Sequence, residues 1–138
     1  MDDLLITGDD DKGIPRLKQD LHTAFTIKDL GLARYFLGVE ISRSSQGTLL
    51  NQRKYVLDIL TDAGLTGAKP ARFPLPKGLK LSTDVGTILS QPDSYRRLVG
   101  RLLYLTLTWP DISYAVQHLS QFLQQPRDTH FQIALHVL

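Results

Sequence analysis

The spacing of hydrophobic residues predicts a mixed N-terminal part and a helical C-terminal part. Leu4 to Ile6 form a short apolar run that ends at Thr7-Gly8-Asp9, which predicts a buried strand entering a turn. Apolar residues then recur at helical spacing: Ile14, Leu17, Leu21, Ala24 and Phe25. Asp9 to Asp11 precede this repeat, where carboxylates favour a helix N-terminus. We therefore interpret the acidic run as a helix start rather than as a metal cluster.

A β-hairpin and a second helix are predicted next. In the segment from Tyr35 to Ile41 the alternate apolar residues share one face of a strand, and the turn-like residues 44–47 precede a second short apolar run. From about Gln52 to Ala63 the apolar spacing is helical, and Gly64 follows as a typical C-terminal cap.

Helical spacing dominates the last third of the chain. One apolar stripe runs from Tyr95 to Trp109 and is ended by Pro110. Asp111 then caps a second predicted helix that stops near Pro126, and a third pattern runs from about residue 128 to residue 138. Because the first two helices are joined by a short break, we expect them to pack as a pair. The predicted fold class is α+β.

Proline and basic residues separate the two parts. Residues 66–101 carry a net charge of +5, whereas residues 1–65 and 102–138 sum to −2 and −1. Pro70, Pro74 and Pro76 oppose both helix and central strand, so we predict a long loop from about Gly67 to Gln91. The expected divisions are residues 1–66, residues 67–91 and residues 92–138.

Composition excludes several classes of site. With 42% hydrophobic and 22% charged residues the chain is typical of a folded protein. The absence of cysteine excludes disulfides, thiolate zinc sites and a cysteine nucleophile. The four histidines never show the spacing of a helical zinc pair: His22, His118, His130 and His136. The absence of cysteine also fits an intracellular protein. Neither a signal peptide nor a membrane span is predicted, so we expect no membrane contact.

Nine short segments occur in an order and spacing that resemble the C-terminal part of the reverse transcriptase domain of copia-type LTR retrotransposon polyproteins. They are Met1-Asp2-Asp3-Leu4-Leu5-Ile6-Thr7-Gly8, Lys28-Asp29-Leu30-Gly31, Tyr35-Phe36-Leu37-Gly38-Val39-Glu40-Ile41, Gln52-Arg53-Lys54-Tyr55, Lys69-Pro70, Tyr95-Arg96-Arg97-Leu98-Val99-Gly100, Tyr104-Leu105-Thr106, Pro110-Asp111-Ile112-Ser113-Tyr114-Ala115-Val116 and Leu119-Ser120-Gln121-Phe122. Each segment alone is a weak signal, and their shared order makes the resemblance specific.

The resemblance implies that Asp2 and Asp3 belong to the Tyr-x-Asp-Asp turn, whose carboxylates hold Mg²⁺ for nucleotidyl transfer. Adjacent residues on a regular strand point to opposite faces, so both could serve one site only at a tight turn. The alternative, from the residues alone, is a pair of acidic residues on a frayed terminus.

The resemblance also implies a palm remnant followed by a thumb. Phe36, Leu37 and Gly38 match the primer grip, the hairpin that holds the primer strand of an RNA/DNA or DNA duplex. From the residues alone, this stretch is a half-buried strand.

The segment from Arg96 to Tyr104 resembles the first thumb helix, in which Gly100 and Tyr104 match positions along the minor groove of the template-primer duplex. Arg96, Arg97 and Arg101 are the candidates for phosphate contacts, because they are long cations on one helix near the basic loop. The alternative for each of them is a solvated basic face.

The chain departs from the family pattern at Trp109, where the family usually has arginine before the Pro-Asp-Ile segment.

We also expect the fingers, the nucleotide-binding residues and a third palm aspartate to precede residue 1, and an RNase H domain to follow residue 138. The predicted function is therefore part of an RNA-directed DNA polymerase that is inactive alone, with the missing N-terminal segment, the RNase H domain and template-primer as partners. By resemblance its location is cytoplasmic. Two alternatives stay open: a non-catalytic nucleic-acid-binding module and a decayed retroelement protein.

Overall fold

A computed structural model describes residues 3–76 and 78–138, and its elements are compatible with the predicted α+β class. In chain order they are α1 (Gly13–Phe25), β1 (Tyr35–Phe36), β2 (Val39–Ser44), β3 (Gly47–Asn51), α2 (Arg53–Asp62), α3 (Pro92–Leu105), a 3-10 turn (Pro110–Ile112), α4 (Ser113–Ser120) and α5 (Asp128–Val137). The strands form one antiparallel sheet in the order β1-β2-β3. The chain divides into two compact units, of which the first ends at Asn51 and the second begins at Gln52.

Helix α1 begins where the acidic run predicts it. The Asp10 carboxylate accepts hydrogen bonds from the backbone N–H groups of Gly13 (2.8 Å) and Lys12 (3.0 Å). These bonds, the one from Gly13 first, hold the pKa of Asp10 below its ordinary value because they favour the charged carboxylate. The interpretation of Asp9 to Asp11 as a helix start is therefore confirmed for Asp10.

The predicted buried strand at Leu4–Ile6 is wrong. These residues lie outside any strand, and the side chains of Leu4 and Leu5 are 66% and 41% exposed. The three described strands pair only with one another, so the run has no neighbour to accept its backbone hydrogen bonds. None of the described residues from 3 to 51 is buried.

The sheet contains a turn within residues 35–41, which the alternation of apolar and other residues does not predict. Phe36 pairs with Val39, so Leu37 and Gly38 form a two-residue connection between β1 and β2. Both are left-handed, with φ of 48° and 86°, as a type I′ hairpin turn requires. The expectation of one continuous strand is wrong because glycine at the second turn position ends it. The second predicted turn, in which Ser44 pairs with Gly47, is confirmed.

Leucine is a poor residue for a left-handed turn position, which gives a stability prediction. We expect Leu37→Asn to stabilise the hairpin by about 1 kcal/mol, because asparagine tolerates positive φ and Asn-Gly is the favoured type I′ pair. Hydrogen exchange at the Ile41 amide, which donates to the carbonyl of Arg34 at 2.8 Å, measures the effect. Leu49→Asn is the control, since Leu49 is equally exposed (63% against 62%) but lies in β3. Slower exchange in the control than in Leu37→Asn would contradict the strain argument.

The C-terminal unit contains the hydrophobic core. Its buried apolar residues are Ile59, Tyr95, Leu98, Val99, Leu102, Leu105, Ile112, Ala115, Val116, Leu119 and Ala134. The predicted stripes are confirmed as core positions except at Trp109, which lies beyond the end of α3 and is 52% exposed. The Tyr95 hydroxyl donates to the carbonyl of Leu119 at 2.8 Å and ties α3 to α4. Burial raises the pKa of Tyr95, because the phenolate would lose its hydration.

Helix α2 belongs to the C-terminal unit and packs with this core, so the compact units divide after Asn51 rather than after residue 66. The buried Gln52 side chain donates to the carbonyl of Tyr104 (3.4 Å) and accepts from the Thr108 hydroxyl (2.8 Å). The ring of Tyr55 meets that of Tyr104 edge-on, with centroids 5.3 Å apart. These partners are remote in sequence, and spacing within α2 does not reveal them.

Two helical boundaries also differ from the prediction. Helix α3 begins at Pro92 and ends at Leu105, and the residues from Pro110 to Ile112 form a 3-10 turn before α4. Asp111 lies inside that turn and makes no cap, so its predicted capping role is wrong. In the described part of the chain, no helix combines the length and the apolar character that crossing a bilayer requires.

The second half of the predicted loop is held against α5 in what we call the clasp, residues 82–89 with residues 126–130. Thr87 and Asp128 exchange hydrogen bonds, at 2.8 Å from the Thr87 N–H to the carboxylate and 2.9 Å from the Asp128 N–H to the Thr87 carbonyl. The Leu89 N–H donates to the carbonyl of Pro126 at 2.9 Å. The loop is irregular, as predicted, and its C-terminal half is nonetheless fixed.

Buried His130 is the centre of the clasp. Its Nδ1 lies 3.1 Å from the Arg127 N–H and its Nε2 lies 3.0 Å from the Ser82 carbonyl. Because an N–H group only donates and a carbonyl only accepts, the ring is the neutral Nε2–H tautomer. Its two bonds join the loop to the first turn of α5.

Candidate nucleic-acid interface

The acidic pair is only partly within the described structure. Asp2 lies outside the described residues, and Asp3 is exposed and belongs to no helix or strand. Over residues 3–76 and 78–138, no three His, Cys, Asp or Glu side chains come together as metal ligands would. The described residues alone therefore do not fit a magnesium site.

The hairpin candidates meet in one turn. Phe36, Leu37 and Gly38 lie at the β1-β2 connection, where Leu37 is 62% exposed and Phe36 is half-buried. Both central residues adopt the left-handed conformation that a two-residue turn requires. The turn therefore holds the tip in one tight conformation. The structure thus presents these three residues together at the end of a hairpin.

Arg96 is engaged within the C-terminal unit. Its Nε donates to the carbonyl of Leu123 at 2.9 Å and its Nη2 donates to that of Gln124 at 3.3 Å. Its Nη1 pairs with Asp93 at 3.1 Å. The guanidinium therefore satisfies carbonyl groups beyond the end of α4, a role that explains its presence without a phosphate.

Arg101 is likewise committed to a neighbouring helix. It forms an ion pair with Asp62 on α2 and lies over the ring of Tyr55, 5.6 Å from the centroid. Burial raises the pKa of Tyr55, and the adjacent Arg101 opposes that rise. Because the carboxylate is distant in sequence, spacing along α3 does not predict the pair.

Arg97 differs from its two neighbours. It is exposed and makes no hydrogen bond or ion pair with any residue that the structure describes. It lies at a cleft of about 420 Å³ between α2, α3 and α5, whose apolar lining includes Ile59, Leu98 and Phe131. Of the three arginines proposed from sequence, Arg97 has the geometry of a free anion contact.

Gly100 and Tyr104 follow Arg97 along α3. A methyl group placed on Gly100 would meet nothing within 4 Å, so the helix surface at that position is open. Tyr104 is half-buried and its ring packs against Tyr55. A ligand could therefore approach the helix backbone closely at Gly100, whereas only part of the Tyr104 ring is accessible to a ligand.

No motif marks the basic loop as a site, although three of its described residues are exposed cations. Lys69, Arg72 and Lys80 have no partner among the described residues, and Phe73 between them is 69% exposed. The local signal is the absence of any Asp or Glu between Asp62 and Asp84. Net charge alone did not reveal which cations are free.

Comparisons with known proteins identify relatives along the whole chain. The family described as "Reverse transcriptase (RNA-dependent DNA polymerase)" matches residues 1–77. The retrovirus-related Pol polyprotein from transposon RE1 of Arabidopsis thaliana is 43% identical over 138 residues, which are 100% of this chain and 9% of the polyprotein. The corresponding polyprotein from transposon TNT 1-94 of Nicotiana tabacum is 37% identical over 149 residues, 100% of this chain and 11% of its own length.

A shorter relative is an uncharacterized mitochondrial protein of Arabidopsis thaliana, 42% identical over 139 residues, which cover 100% of this chain and 57% of that protein. The chain therefore spans about a tenth of the polyproteins and little more than half of this protein. No solved structure matches the chain significantly.

Proposed function

Because the chain belongs to the reverse transcriptase (RNA-dependent DNA polymerase) family, we propose that it forms the duplex-holding part of a retrotransposon reverse transcriptase. In this proposal the N-terminal unit is a palm remnant and the helices from α3 onward are a thumb. The observation that carries the proposal is the family match over residues 1–77, which includes both the Asp2-Asp3 pair and the Leu37-Gly38 turn. The 43% identity to the RE1 polyprotein extends the likeness through α3 to α5.

In the intact enzyme the chemistry would be nucleotidyl transfer, with Mg²⁺ supplying charge stabilisation at the reacting phosphate. Asp2 and Asp3 are the ligands that this chain would contribute. The described residues supply no third ligand, so the upstream polymerase segment would complete the site. That segment, the downstream RNase H domain and the template-primer are the proposed partners.

Each unit would contribute its own contact surface for nucleic acid: the hairpin tip in the N-terminal unit and one face of α3 in the C-terminal unit. In this proposal the two-residue turn at Leu37 and Gly38 is the part of the hairpin that holds the primer strand. Arg97 supplies a free guanidinium for a phosphate, and Gly100 leaves space for the sugar-phosphate backbone. Arg96 and Arg101 position the helix through their bonds to neighbouring elements.

Binding of a template-primer duplex tests this division of roles. We expect weak, salt-sensitive binding, with dissociation constants of roughly 10⁻⁴ to 10⁻⁶ M at physiological salt, because a few cations supply the non-specific term. Arg97→Gln should weaken binding several-fold and reduce the salt slope by about 1, which fluorescence anisotropy across a salt series measures. Arg16→Gln on α1 is a control with the same change in charge, and it should leave the slope unchanged.

Arg96→Gln and Arg101→Gln should act mainly on folding. Each should lower the free energy of unfolding by about 0.5 to 1 kcal/mol, because exposed carbonyl or carboxylate partners lose their donor. A slope that falls equally for all three arginine variants, with unfolding unaffected, would contradict the assignment of the free contact to Arg97.

Primer extension separates catalysis from binding. Without the upstream segment the chain should extend no primer, and it should still bind duplex. Extension that is abolished by Asp2→Asn would overturn the proposed need for that segment. Failure to bind any nucleic acid would instead favour a decayed protein over the duplex-holding role.

A further inference from the structure

The basic loop, whose described residues are 69–76 and 78–80, presents charges that the duplex-holding role does not use. Its described cations are Lys69, Arg72 and Lys80, and all three are exposed. No Asp or Glu occurs between Asp62 and Asp84, so no carboxylate within the loop neutralises them.

Several other basic residues of the chain form hydrogen bonds or ion pairs within the folded protein. Arg43 donates to the carbonyl of Ala33, and Arg127 donates to that of Gly86. Lys18 pairs with Asp29 at 3.0 Å. In contrast, the three loop cations have no hydrogen-bond or ion-pair partner among the described residues. Lys12, Arg16 and Lys28 of the N-terminal unit likewise have no side-chain partner among the described residues. The loop cations differ from them because they lie close together in a stretch without Asp or Glu.

The loop also exposes an aromatic ring on a restrained backbone. Phe73 is 69% exposed and lies directly beside Arg72. Pro70, Pro74 and Pro76 fix three φ angles around it, which lowers the entropy lost when the loop binds a partner. At the far end Leu81 packs against the core, so the loop is anchored to the C-terminal unit.

We propose that the basic loop binds an unpaired RNA or DNA strand. Lys69, Arg72 and Lys80 neutralise backbone phosphates, and Phe73 stacks on a base, which is the combination used by proteins that bind single strands without sequence preference. An acidic protein would also satisfy the cations and cover the ring, so the choice of a nucleic acid follows from the family of the chain. The proposal rests on the proposed function only in that the partner is a nucleic acid.

The test is binding of a fluorescent twelve-nucleotide dT or rU strand to the full chain. The triple variant Lys69→Gln, Arg72→Gln, Lys80→Gln should bind about tenfold more weakly. Its salt slope should fall by about 2, because each phosphate that a cation neutralises on a single strand contributes about 0.7 to the slope. Phe73→Ala should weaken binding about tenfold with the slope unchanged, because stacking releases no counterions. Circular dichroism should show the same helix content in all variants.

Matched controls keep the charge and the exposed aromatic surface constant. The triple variant Lys12→Gln, Arg16→Gln, Lys28→Gln removes the same charge from exposed positions of the N-terminal unit and should change binding less than threefold. Tyr114→Ala removes another exposed ring, 75% exposed in α4, and should have no effect. Equal losses in the two triple variants, or in the two aromatic variants, would overturn the proposal.

Two further arms separate this inference from the duplex-holding role. Poly-glutamate should not compete with the strand, and competition at equal charge would favour an acidic protein partner and overturn the proposal. The loop variants should affect single strands more than duplex, whereas Arg97→Gln should do the reverse. If only Arg97→Gln weakens binding of nucleic acid, the loop proposal fails and the duplex-holding role stands. If only the loop variants weaken it, the loop proposal stands and the duplex-holding role of Arg97 fails.

Discussion

Replacing His130 with alanine is expected to lower the free energy of unfolding of the C-terminal unit by about 3 to 4 kcal/mol. The ring is fully buried and packs against Phe122, with centroids 4.1 Å apart, so its removal leaves a cavity. It also leaves the partly buried Ser82 carbonyl and Arg127 N–H without their partner, and each unpaired group adds a penalty. Urea denaturation followed by the fluorescence of Trp109, the single tryptophan of the chain, measures the change.

His136→Ala is the matched control for this prediction. His136 lies on the same helix and is exposed, so its replacement should change the free energy of unfolding by less than about 0.5 kcal/mol. Asparagine at residue 130 should recover part of the loss, because its amide can still bond one of the two backbone groups. A loss below about 1 kcal/mol for His130→Ala would show that the clasp contributes little to folding.

Residue periodicity predicts the helices of the C-terminal unit well because these helices bury one face against each other. The stripe that includes Leu98, Val99 and Leu102 is core, as its spacing indicates. Periodicity works here because each position depends mainly on residues three or four places away in α3. The helix starts at Gly13 and Arg53 also fall within a few residues of their predicted positions.

Features that depend on distant partners are not predicted. The run from Leu4 to Ile6 reads as a strand, but a strand forms only where another strand pairs with it. The turn at Leu37 is concealed because leucine seldom adopts positive φ, so its neighbour Gly38 was the better signal. The clasp joins groups separated by about forty residues, beyond any local pattern.

The candidate site shows the same limit. Sequence placed Arg96, Arg97 and Arg101 together as equal candidates for phosphate contacts. Their partners, the Leu123 carbonyl for Arg96 and the Asp62 carboxylate for Arg101, come from other elements of the fold. Only the three-dimensional arrangement distinguishes a cation that holds the protein together from one that is free for a ligand.

Replacing Gly86 with alanine is expected to lower the free energy of unfolding by about 2 to 3 kcal/mol. Gly86 has φ of 93°, and a β-carbon there would collide with the Asp128 carboxylate and with the Thr129 side chain. Asp128 cannot retreat without weakening its bond to the Thr87 N–H, so the collision opens the clasp. We expect faster hydrogen exchange at the amides of Thr87 and Leu89 in addition to a lower urea midpoint.

Gly64→Ala measures the cost of a positive φ at alanine without the collision of the β-carbon. Gly64 also has positive φ, 69°, but a β-carbon there meets nothing within 4 Å. Its replacement should therefore cost only the conformational strain, about 1 kcal/mol, and should leave exchange in the clasp unchanged. If both alanine variants lose the same stability, the close approach of Gly86 to α5 contributes nothing, and the left-handed backbone alone explains both glycines.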